Sequence, residues 1–449
     1  MPTPTLPITN EKDLTNWGNF PRADAQVVTP RRLDELPAAL ASGGPLIGRG
    51  LGRSYGDASL AAKVVQMTQL NRFVAFDAQA GTITCEAGCS LAEVLDHVVP
   101  RGFFLPVTPG TKFVTVGGAI AADVHGKNHH KDGSFGDHVL WLELLRADGR
   151  TVRCSPNAEP ALFEATLGGM GLTGLVTQAC FRLKPIESAY IRQTRKRAAN
   201  LEAIFRLFEE NTQTTYSMAW IDCLAGGSRL GRSVLFLGEH ATLSELPRSL
   251  QSRPLAARGG LKLDVPLFLP NKLLNGWSVR LFNEALFRTW RDKRMTLHYD
   301  PFFYPLDKIH HWNRIYGRRG FVQYQPVLPL EQSYDGMVEI LEAIARFNQG
   351  SFLAVLKLFG DQRRGISFPM RGYTLALDFP VSESLFRFLD TLDEIVVRRG
   401  GRIYLAKDGR MKAKTFAAGY PTLASFREVR DEADPTRLFG SQLSQRLSI

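Results

Sequence analysis

The amino-acid sequence predicts an α+β fold made of two units. Short apolar runs with strand character, such as Val64–Met67 and Thr82–Cys85, are separated by turn residues, and helical patterns stand between them. Two longer helical patterns, Gln332–Phe347 and Glu383–Arg398, lie among the strand patterns of the second half. The chain has 449 residues, a length that usually forms two domains. We therefore expect two cores, each built from strands and helices.

The first unit is expected to contain short strands and two helices. The strands are predicted at Val64–Met67, Phe73–Phe76, Thr82–Cys85, Val139–Arg146, Thr151–Cys154 and Leu175–Leu183. One helix is predicted over Ser90–His97, because serine is a common N-cap residue, and another over Glu159–Leu167. Pro185 closes this unit.

The second unit is expected to combine a sheet with helices packed on it. Leu201, Ile204, Phe205 and Phe208 recur at the spacing of one helical face. The strands are predicted at Tyr216–Asp222, Val234–Leu237, Phe321–Leu328, Phe352–Phe359 and Tyr373–Phe379.

Composition and charge narrow the class of protein. The content of 44% apolar and 22% charged residues is ordinary for a globular chain, and the net charge of +11 favours phosphate-bearing or membrane-surface partners. The five cysteines are scattered and form no CxxC pair, so neither a zinc site nor a disulfide framework is indicated. No signal-peptide pattern and no apolar run of membrane-spanning length is visible. A reducing, cytoplasmic compartment is expected.

The stretch Pro109–Asp137 concentrates the chemistry of the sequence. It reads PGTKFVTVGGAIAADVHGKNHHKDGSFGD, with glycines followed by histidines and lysines. Glycines let the backbone approach a ligand closely, because they have no β-carbon to collide with it. The basic groups suit a polyanionic or electron-rich ligand.

Two other glycine-rich loops match short motifs whose structural context is wrong. Gly169, Gly171 and Gly174 spell the dinucleotide-binding GxGxxG, but a predicted helix precedes them and a strand follows, the reverse of what that motif needs. Ser54 stands in a GxSxG sequence, yet the segment after it is too short for the helix of a nucleophile elbow. The loop Gly48–Asp57 is better explained as a diphosphate cradle of backbone N–H groups, with added charge from Arg49 and Arg53.

The basic residues of the chain allow several roles. His125, Lys127, His129 and His130 lack the carboxylates or cysteines that would complete a metal site, so no metal is expected. His125 and Lys127 suit the edge of a cofactor, whereas His129 and His130 are expected to be solvated. Lys407 lies in a short apolar strand pattern, where it either extends its ammonium to solvent or stabilises negative charge on a bound cofactor.

These segments together resemble the vanillyl-alcohol-oxidase/PCMH superfamily of FAD enzymes and, within it, the decaprenylphosphoryl-β-D-ribose 2′-oxidase family. The resemblance covers nearly the whole chain, through GRGLGRSYGD, PGTKFVTVGGAIAADVHGKNHHKDGSFGDH, GGMGLTG, WNRIYG, GFVQYQ, KLFG, IYLAKD and ADPTRLF. It implies a two-lobed PCMH-type FAD-binding domain over residues 1–187 and a substrate-binding domain over residues 188–401, built on an antiparallel sheet flanked by helices. The C-terminal segment, residues 402–449, is expected to return to the FAD domain.

The resemblance implies FAD contacts in the glycine loops and in the histidine stretch. The implied residues are Gly48, Arg49, Gly50, Leu51, Gly52, Arg53, Ser54, Tyr55, Gly56, Asp57, Ala58, Gly110, Thr115, Val116, Gly117, Gly118, Ala122, Asp123, Val124, His125 and Tyr404. Tyr55 stands where relatives in the superfamily carry a flavin-linking histidine, which implies that FAD is held noncovalently.

The resemblance also implies a substrate pocket. Trp220, Gln323, Gln325 and Lys357 match pocket positions, and Lys407 matches a lysine beside the flavin. Gln323 and Gln325 are two residues apart and therefore share one face of a strand, turned either to the pocket or to solvent.

Two positions depart from the family pattern. Ala376 stands where the family has a cysteine that covalent inhibitors attack, a residue with no assigned role in the chemistry. An aromatic residue near the pocket falls on either Phe303 or Tyr304, depending on the register.

The implied reaction is FAD-dependent oxidation of the ribose 2-hydroxyl of a polyprenyl-phosphate pentose to a 2-keto sugar. This step is the first half of the epimerisation that makes the arabinose donor of cell-wall arabinan, and a partner short-chain reductase would complete it. Lys407 would stabilise the flavin charge, and either His125 or Lys127 would take the hydroxyl proton. A flavin oxidase of a soluble sugar or polyol stays open, as does, remotely, a serine hydrolase using Ser54. No nucleic-acid partner is expected.

A basic amphipathic pattern runs from Gly276 to Lys293. Val279, Phe282, Leu286 and Trp290 lie along one helical face. Arginines and lysines at 280, 288, 291, 293 and 294 supply positive charge. Such a helix suits peripheral contact with anionic lipid on the inner face of a membrane, and it equally suits packing against the second domain. The polyprenyl substrate favours the membrane.

Overall fold

Two sheets in the first 185 residues and one large antiparallel sheet after them form the framework of the chain. The structure is a computed structural model that describes residues 6–41, 44–256, 263–270, 276–351, 353–362 and 364–449. The mixture of helices and largely antiparallel sheets confirms the α+β class.

The strands of the two N-terminal sheets are short. They are β1 Ile8–Thr15, β2 Arg22–Val28, β3 Leu46–Arg49, β4 Lys63–Gln66, β5 Phe73–Asp77, β6 Thr82–Glu86, β7 Phe103–Phe104, β8 Val139–Leu145, β9 Thr151–Cys154, β10 Leu175–Arg182 and β11 Lys184–Pro185. One sheet has the order β1-β2-β4-β3 with parallel pairs around β4, and the other has the antiparallel order β5-β6-β10-β8-β9.

The strands of the second half build the large sheet. They are β12 Tyr190–Ala198, β13 Tyr216–Ile221, β14 Ser233–His240, β15 Leu263–Asp264, β16 Lys293–His298, β17 Ile309–His310, β18 Phe321–Tyr324, β19 Pro326–Pro329, β20 Val355–Phe359, β21 Gly372–Pro380 and β22 Arg402–Ile403. The large sheet has the order β16-β12-β14-β13-β20-β21-β19-β22, with β18 also paired to β21, while β15 and β17 pair separately.

Fourteen α-helices lie in the described part of the chain. They are α1 Leu36–Leu40, α2 Leu91–Val98, α3 Val116–Ala121, α4 His129–Asp132, α5 Pro160–Thr166, α6 Leu201–Glu210, α7 Arg248–Gln251, α8 Gly276–Thr289, α9 Tyr299–Phe303, α10 Leu330–Phe347, α11 Glu383–Arg398, α12 Ala413–Gly419, α13 Leu423–Ala433 and α14 Gln442–Leu447. In this part of the chain, none of them combines the length and the apolar character needed to cross a bilayer.

Local sequence signals explain where several helices begin and which side they bury. The predicted N-cap Ser90 accepts a hydrogen bond from the Glu93 amide, while the Glu93 carboxylate accepts one from the Ser90 amide. In α6 the predicted face of Leu201, Ile204, Phe205 and Phe208 is buried. This face belongs to the core that α10 and α11 share with one side of the large sheet. The other side of that sheet is covered in part by the end of α8, which packs on Trp220 and Phe236.

The structure corrects three predicted elements of the second half. The predicted strand Phe321–Leu328 is two strands, β18 and β19, because pairing is interrupted at Gln325, although both halves keep the same register against β21. The predicted strand Phe352–Phe359 begins at Val355, and residue 352 lies outside the described residues. The helix predicted to continue to Lys293 ends at Thr289, and Lys293 opens β16, where it pairs with Arg195.

Candidate active site

The first glycine loop, residues 48–58, lies against the second, residues 115–118. A β-carbon on Gly50 would collide with the Thr115 side chain, so only glycine allows this approach. Thr115 is the N-cap of α3, and its hydroxyl accepts a hydrogen bond from the Gly118 amide at 3.1 Å. The two loops therefore form one glycine-lined surface of the kind a dinucleotide diphosphate requires.

The same loop also contacts the segment that carries Lys407. The Tyr55 amide donates to the Ala406 carbonyl at 3.0 Å, and a β-carbon on Gly56 would overlap the Asp408 carbonyl. Lys407 Nζ lies 3.7 Å from the centroid of the Tyr55 ring. Three stretches that are far apart in sequence thus meet at one place, and all three were predicted to touch FAD.

Both arginines of the first loop contact the N-terminal segment. The Arg49 guanidinium is buried against Asn16 and the Thr15 carbonyl, and burial lowers its pKa to about 10, a value at which it stays charged at neutral pH. The Arg53 guanidinium stacks 4.0 Å from the centroid of the Trp17 ring. Both side chains thus fix the loop to the N-terminal segment, and their contribution of charge to a diphosphate cradle stays a prediction.

Other implied FAD residues fall into two groups. Ala58, Val116 and Val124 are buried, whereas Leu51 is 43% exposed. Asp57 is buried and ion-paired with Arg446 at 2.8 Å. The remaining implied residues lie in different elements: Gly48 is in β3, Gly52 and Ser54 follow it in the first loop, Gly110 precedes the second loop, and Gly117 is in the first turn of α3.

Asp123 fixes the backbone beside the histidine stretch. It has a positive φ of 41°, and its carboxylate accepts hydrogen bonds from the Gly136 amide, Gln362 and Ser367. Its neighbour Ala122 accepts a hydrogen bond from the Tyr404 hydroxyl at 3.0 Å. These contacts leave His125, two residues later, in a defined position.

One face of the large sheet carries all four residues that were predicted to bind substrate. Trp220 is paired across β13 and β20 with Val355, and Val355 is paired across β20 and β21 with Ala376. Lys357 is paired with Thr374 in the same way, and Gln323 with Asp378. Paired residues project to the same side of a sheet, and so do residues two apart. Trp220, Gln323, Gln325 and Lys357 therefore share the face opposite the helical core.

His125 is the point of contact between that face and the glycine loops. Its Nε2 lies 3.0 Å from the Gln325 amide nitrogen, and its ring packs between Phe359 and Tyr404, with centroid distances of 4.7 and 5.1 Å. Burial and nearby lysines hold its pKa well below the usual value, so the imidazole is neutral at pH 7. Its Nδ1 is buried without a hydrogen-bond partner among the described residues. An unsatisfied buried nitrogen of this kind is suited to a ligand atom.

Three lysines give this region its electrostatic character, and of these Lys127 is buried while Lys357 and Lys407 are partly buried. Burial lowers the pKa of Lys127 to about 7, of Lys357 to about 8 and of Lys407 to about 7. The Lys127 ammonium donates to the carbonyls of Phe302 and Phe303. Groups with pKa values this close to neutral can exchange protons at physiological pH, and in their charged form they attract an anionic ligand.

The structure places the remaining sequence candidates as follows. His129 and His130 are not solvated as expected, because His129 bonds Gln362 at 2.7 Å and His130 bonds the Thr214 carbonyl at 2.9 Å. The Ser54 loop leads through turns into β4, without the helix that a nucleophile elbow needs. Tyr304 and Thr108 hydrogen-bond through their hydroxyls at 2.6 Å. Phe303 is buried in the adjacent core, where it packs against Phe104. Phe303 and Tyr304 are both buried, so burial does not decide which of them is the aromatic residue near the pocket.

Sequence reasoning missed Asp378, Thr374 and Tyr316. Asp378 accepts hydrogen bonds from Gln323 at 2.6 Å and from Tyr316 at 3.3 Å, and Gln325 donates to Thr374 at 3.3 Å. A signal existed, since a carboxylate inside the apolar strand prediction Tyr373–Phe379 is unusual. It stands two residues after Ala376 and hence on the same face.

Comparison with known proteins agrees with this geometry. Residues 25–155 match the sequence model of the FAD binding domain family, and residues 376–447 match that of D-arabinono-1,4-lactone oxidase. The chain is 37% identical to decaprenylphosphoryl-beta-D-ribose oxidase of Mycolicibacterium smegmatis over 100% of both chains. It is also 37% identical to an uncharacterized Streptomyces coelicolor protein, over 80% of this chain and 100% of that protein. L-gulonolactone oxidase of Mus musculus is 22% identical over 84% of this chain and 83% of its own.

Proposed function

Since this chain belongs to the decaprenylphosphoryl-beta-D-ribose oxidase family of FAD-dependent oxidoreductases, we propose that it oxidises the ribose 2-hydroxyl of a polyprenyl-phosphate pentose. The product is the 2-keto sugar, and a partner short-chain reductase then returns a hydride to the opposite face of that carbon. The resulting arabinose configuration completes the epimerisation.

The observation that carries this proposal is the shared pocket face of the large sheet. It presents Lys357, Gln323 and Gln325 towards the loop of His125, and that loop in turn adjoins the glycine-lined surface. Lysines in a buried pocket attract the phosphate of the substrate, while the glutamine amides can hydrogen-bond sugar hydroxyls. A neutral, unphosphorylated polyol would leave the lysine charges uncompensated, which favours the phosphorylated sugar.

Three basic residues have separate roles in the proposed reaction. When bound, FAD accepts the hydride from the ribose C2. Lys407, stacked on Tyr55, places a cation where charge develops in a site that excludes water. His125 and Lys127 are the two candidates for taking the hydroxyl proton, since both are buried and have lowered pKa values. Metal ligation plays no part in the proposal.

FAD is proposed to be held noncovalently. The loop from Gly48 to Ala58 contains neither histidine nor cysteine, and its Tyr55 is engaged by Lys407 and by the edge of the Phe321 ring at 5.3 Å. Acid precipitation should therefore release the yellow colour into the supernatant. A protein pellet that stays yellow would contradict a noncovalent link.

The lipid substrate must leave a bilayer, and we include peripheral membrane contact in the proposal. Exposed apolar side chains on α8 support it, with Trp277 at 83% and Leu281 at 75% exposure. The face predicted from the sequence was wrong in part. Leu286 and Trp290 pack on Trp220 and the large sheet, so the outward face is the one that carries Trp277 and Leu281.

The decisive experiment follows the absorbance of the bound flavin under anaerobic conditions. A polyprenyl-phosphate ribose should bleach it in a single turnover, whereas free ribose and free polyols should not. Bleaching by free polyols as fast as by the lipid-linked sugar would favour the oxidase of a soluble polyol. A protein that purifies without flavin but cleaves esters through Ser54 would overturn both.

A further inference from the structure

A buried carboxylate on the pocket face is not used by the function proposed above. Asp378 is 1% exposed in β21. Its Oδ1 accepts from Gln323 Nε2 at 2.6 Å, its Oδ2 accepts from the Tyr316 hydroxyl at 3.3 Å, and its amide hydrogen-bonds Ser351 Oγ at 2.9 Å. Two separate parts of the chain thus fix the orientation of this carboxylate, and a third holds its backbone.

Asp378 faces a group of positive charges. Burial and the charge of Lys357 lower the pKa of Lys407, and the charge of Asp378 opposes this change. Lys407 in turn adds to the effects that lower the pKa of His125. The charge of Asp378 therefore favours the ammonium form of Lys407, whereas that of Lys357 disfavours it.

A continuous set of contacts joins Asp378 to Lys407. Lys407 Nζ stacks on the Tyr55 ring at 3.7 Å from its centroid, and the Tyr55 hydroxyl interacts with Gln323, the residue that donates to Asp378. A lysine with a long flexible chain has many rotamers, and this arrangement selects one.

We propose that Asp378 is a positioning residue that keeps Lys407 charged and directed at the flavin. The placement of the flavin beside Lys407 rests on the proposed function. An unsupported ammonium at this depth would tend to lose its proton, because desolvation disfavours the charged form. The neutral amine could not stabilise the charge that develops when the hydride is transferred.

The test is the two-electron reduction potential of the bound flavin, measured by dye equilibration across the neutral and alkaline pH range. In the wild type, the plot of reduction potential against pH should change slope at the pH where Lys407 loses its proton. The plot for Lys407→Met should lack this change of slope. In Asp378→Asn we expect the change of slope at a pH lower by about one unit, a tenfold change in the acidity of Lys407. A merely structural role would displace the whole curve and leave the change of slope at the wild-type pH, and that result overturns the proposal.

Matched variants separate charge from packing. Tyr316→Phe removes one hydrogen bond to Asp378 but keeps its charge, so the change of slope should stay at the wild-type pH. Asp393→Asn removes another buried carboxylate, which lies on helix α11 and pairs with Arg410. This variant should also leave the change of slope at the wild-type pH. If Asp378→Asn fails to fold, Asp378→Glu and Asp378→Gln take its place, because their side chains have the same length and differ in charge. Only Asp378→Gln should shift the pH at which the slope changes.

This measurement needs no substrate, so the two proposals can fail separately. A shifted change of slope in an enzyme that does not oxidise polyprenyl-phosphate ribose would reject the proposed substrate and keep the role of Asp378. An enzyme that oxidises the lipid-linked sugar, with the change of slope at the same pH in Asp378→Asn and the wild type, would reject the role of Asp378 alone.

Discussion

At the scale of single residues, burial changes the chemistry of ordinary side chains. Lys407 has a pKa lowered to about 7, and Asp378 has one raised to about 7, in both cases mainly because the charged form is desolvated. Solvent-exposed lysines and aspartates have pKa values several units apart, whereas these two titrate in the same range and influence each other. The site therefore gains groups that respond to pH near neutrality.

Replacing Lys407 should remove most of the catalytic rate. We expect Lys407→Ala to slow flavin reduction by ~10²–10³, because a fixed cation is lost at the point where negative charge develops. Stopped-flow absorbance with the proposed substrate, corrected for flavin occupancy, measures this rate. Lys63→Ala is the control, since Lys63 is also buried but donates to the Ala39 carbonyl. Near-normal rates in fully flavinated Lys407→Ala would contradict the assigned role.

Ala376 should accept a reactive cysteine that faces the pocket. The five native cysteines are buried, so we expect slow alkylation of the folded wild-type protein. Ala376→Cys should be labelled readily by a small thiol reagent and by inhibitors that attack the family cysteine, as read by mass spectrometry. Ala219→Cys is the control, because Ala219 lies on the helix-covered side of the sheet with 0% exposure. Equal labelling of both variants would mean that Ala376 does not face the pocket.

At the scale of elements, α8 has two apolar sides with different partners. Leu286, Phe287 and Trp290 pack on the cluster of Trp220 and Phe236, whereas Trp277 is exposed on the outside of the helix. Arg288, which the sequence assigned to lipid contact, is ion-paired with Glu284 at 2.7 Å. A helix of this kind can stay packed on the sheet while its outer side contacts a membrane surface.

The outer side of α8 should control binding to vesicles. We expect Trp277→Ser with Leu281→Ser to weaken flotation with anionic liposomes at low salt by about tenfold or more, since two exposed apolar groups lose a favourable environment. Salt should weaken wild-type binding as well, because it screens surface charge. Tyr334→Ser on α10 is the control, as Tyr334 is 43% exposed on another helix. If the wild type does not float with anionic vesicles, the proposed membrane contact is wrong.

At the scale of the whole molecule, the C-terminal segment joins the large sheet to the first glycine loop. Its strand β22 pairs with β19 of the large sheet. Further along the segment, Phe439 forms a parallel bridge to Leu46, the first residue of β3. Arg446 on α14 then binds Asp57 and Asp408, each at 2.8 Å. The loop that was predicted to hold FAD and the segment of Lys407 are thus fixed by the same arginine.

Removing this arginine should loosen both halves of the site. We expect Arg446→Met to lower the free energy of unfolding by about 3 kcal/mol, because two buried carboxylates lose their partner. The loss should be accompanied by weaker FAD retention. Thermal unfolding with flavin fluorescence measures both effects. Arg427→Met is the control, since the partly exposed Arg427 donates to the Ser448 carbonyl and not to a buried carboxylate. Equal stability of the two variants would show that the ion pairs contribute little.

The sequence by itself determined the local elements and the residue types of the site. The capping pair at Ser90 and Glu93 and the buried face of α6 follow from nearby residues, whose preferences act within a turn of a helix. The resemblance added the expected roles of Lys407 and His125.

Only the tertiary structure decided which of these groups meet and which side chains face inward. Pairing of β18 with β21 brings Asp378 to Gln323, while Lys407 reaches Tyr55 from the C-terminal segment, and no local pattern encodes either contact. The Arg49 guanidinium donates to Asn16, a buried acceptor far earlier in the chain that no local pattern identifies as its partner. The same holds for α8, whose predicted lipid face is partly buried because Trp220 and the large sheet lie beneath it. Burial and partner choice depend on contacts between distant segments, and those contacts exist only in the folded chain.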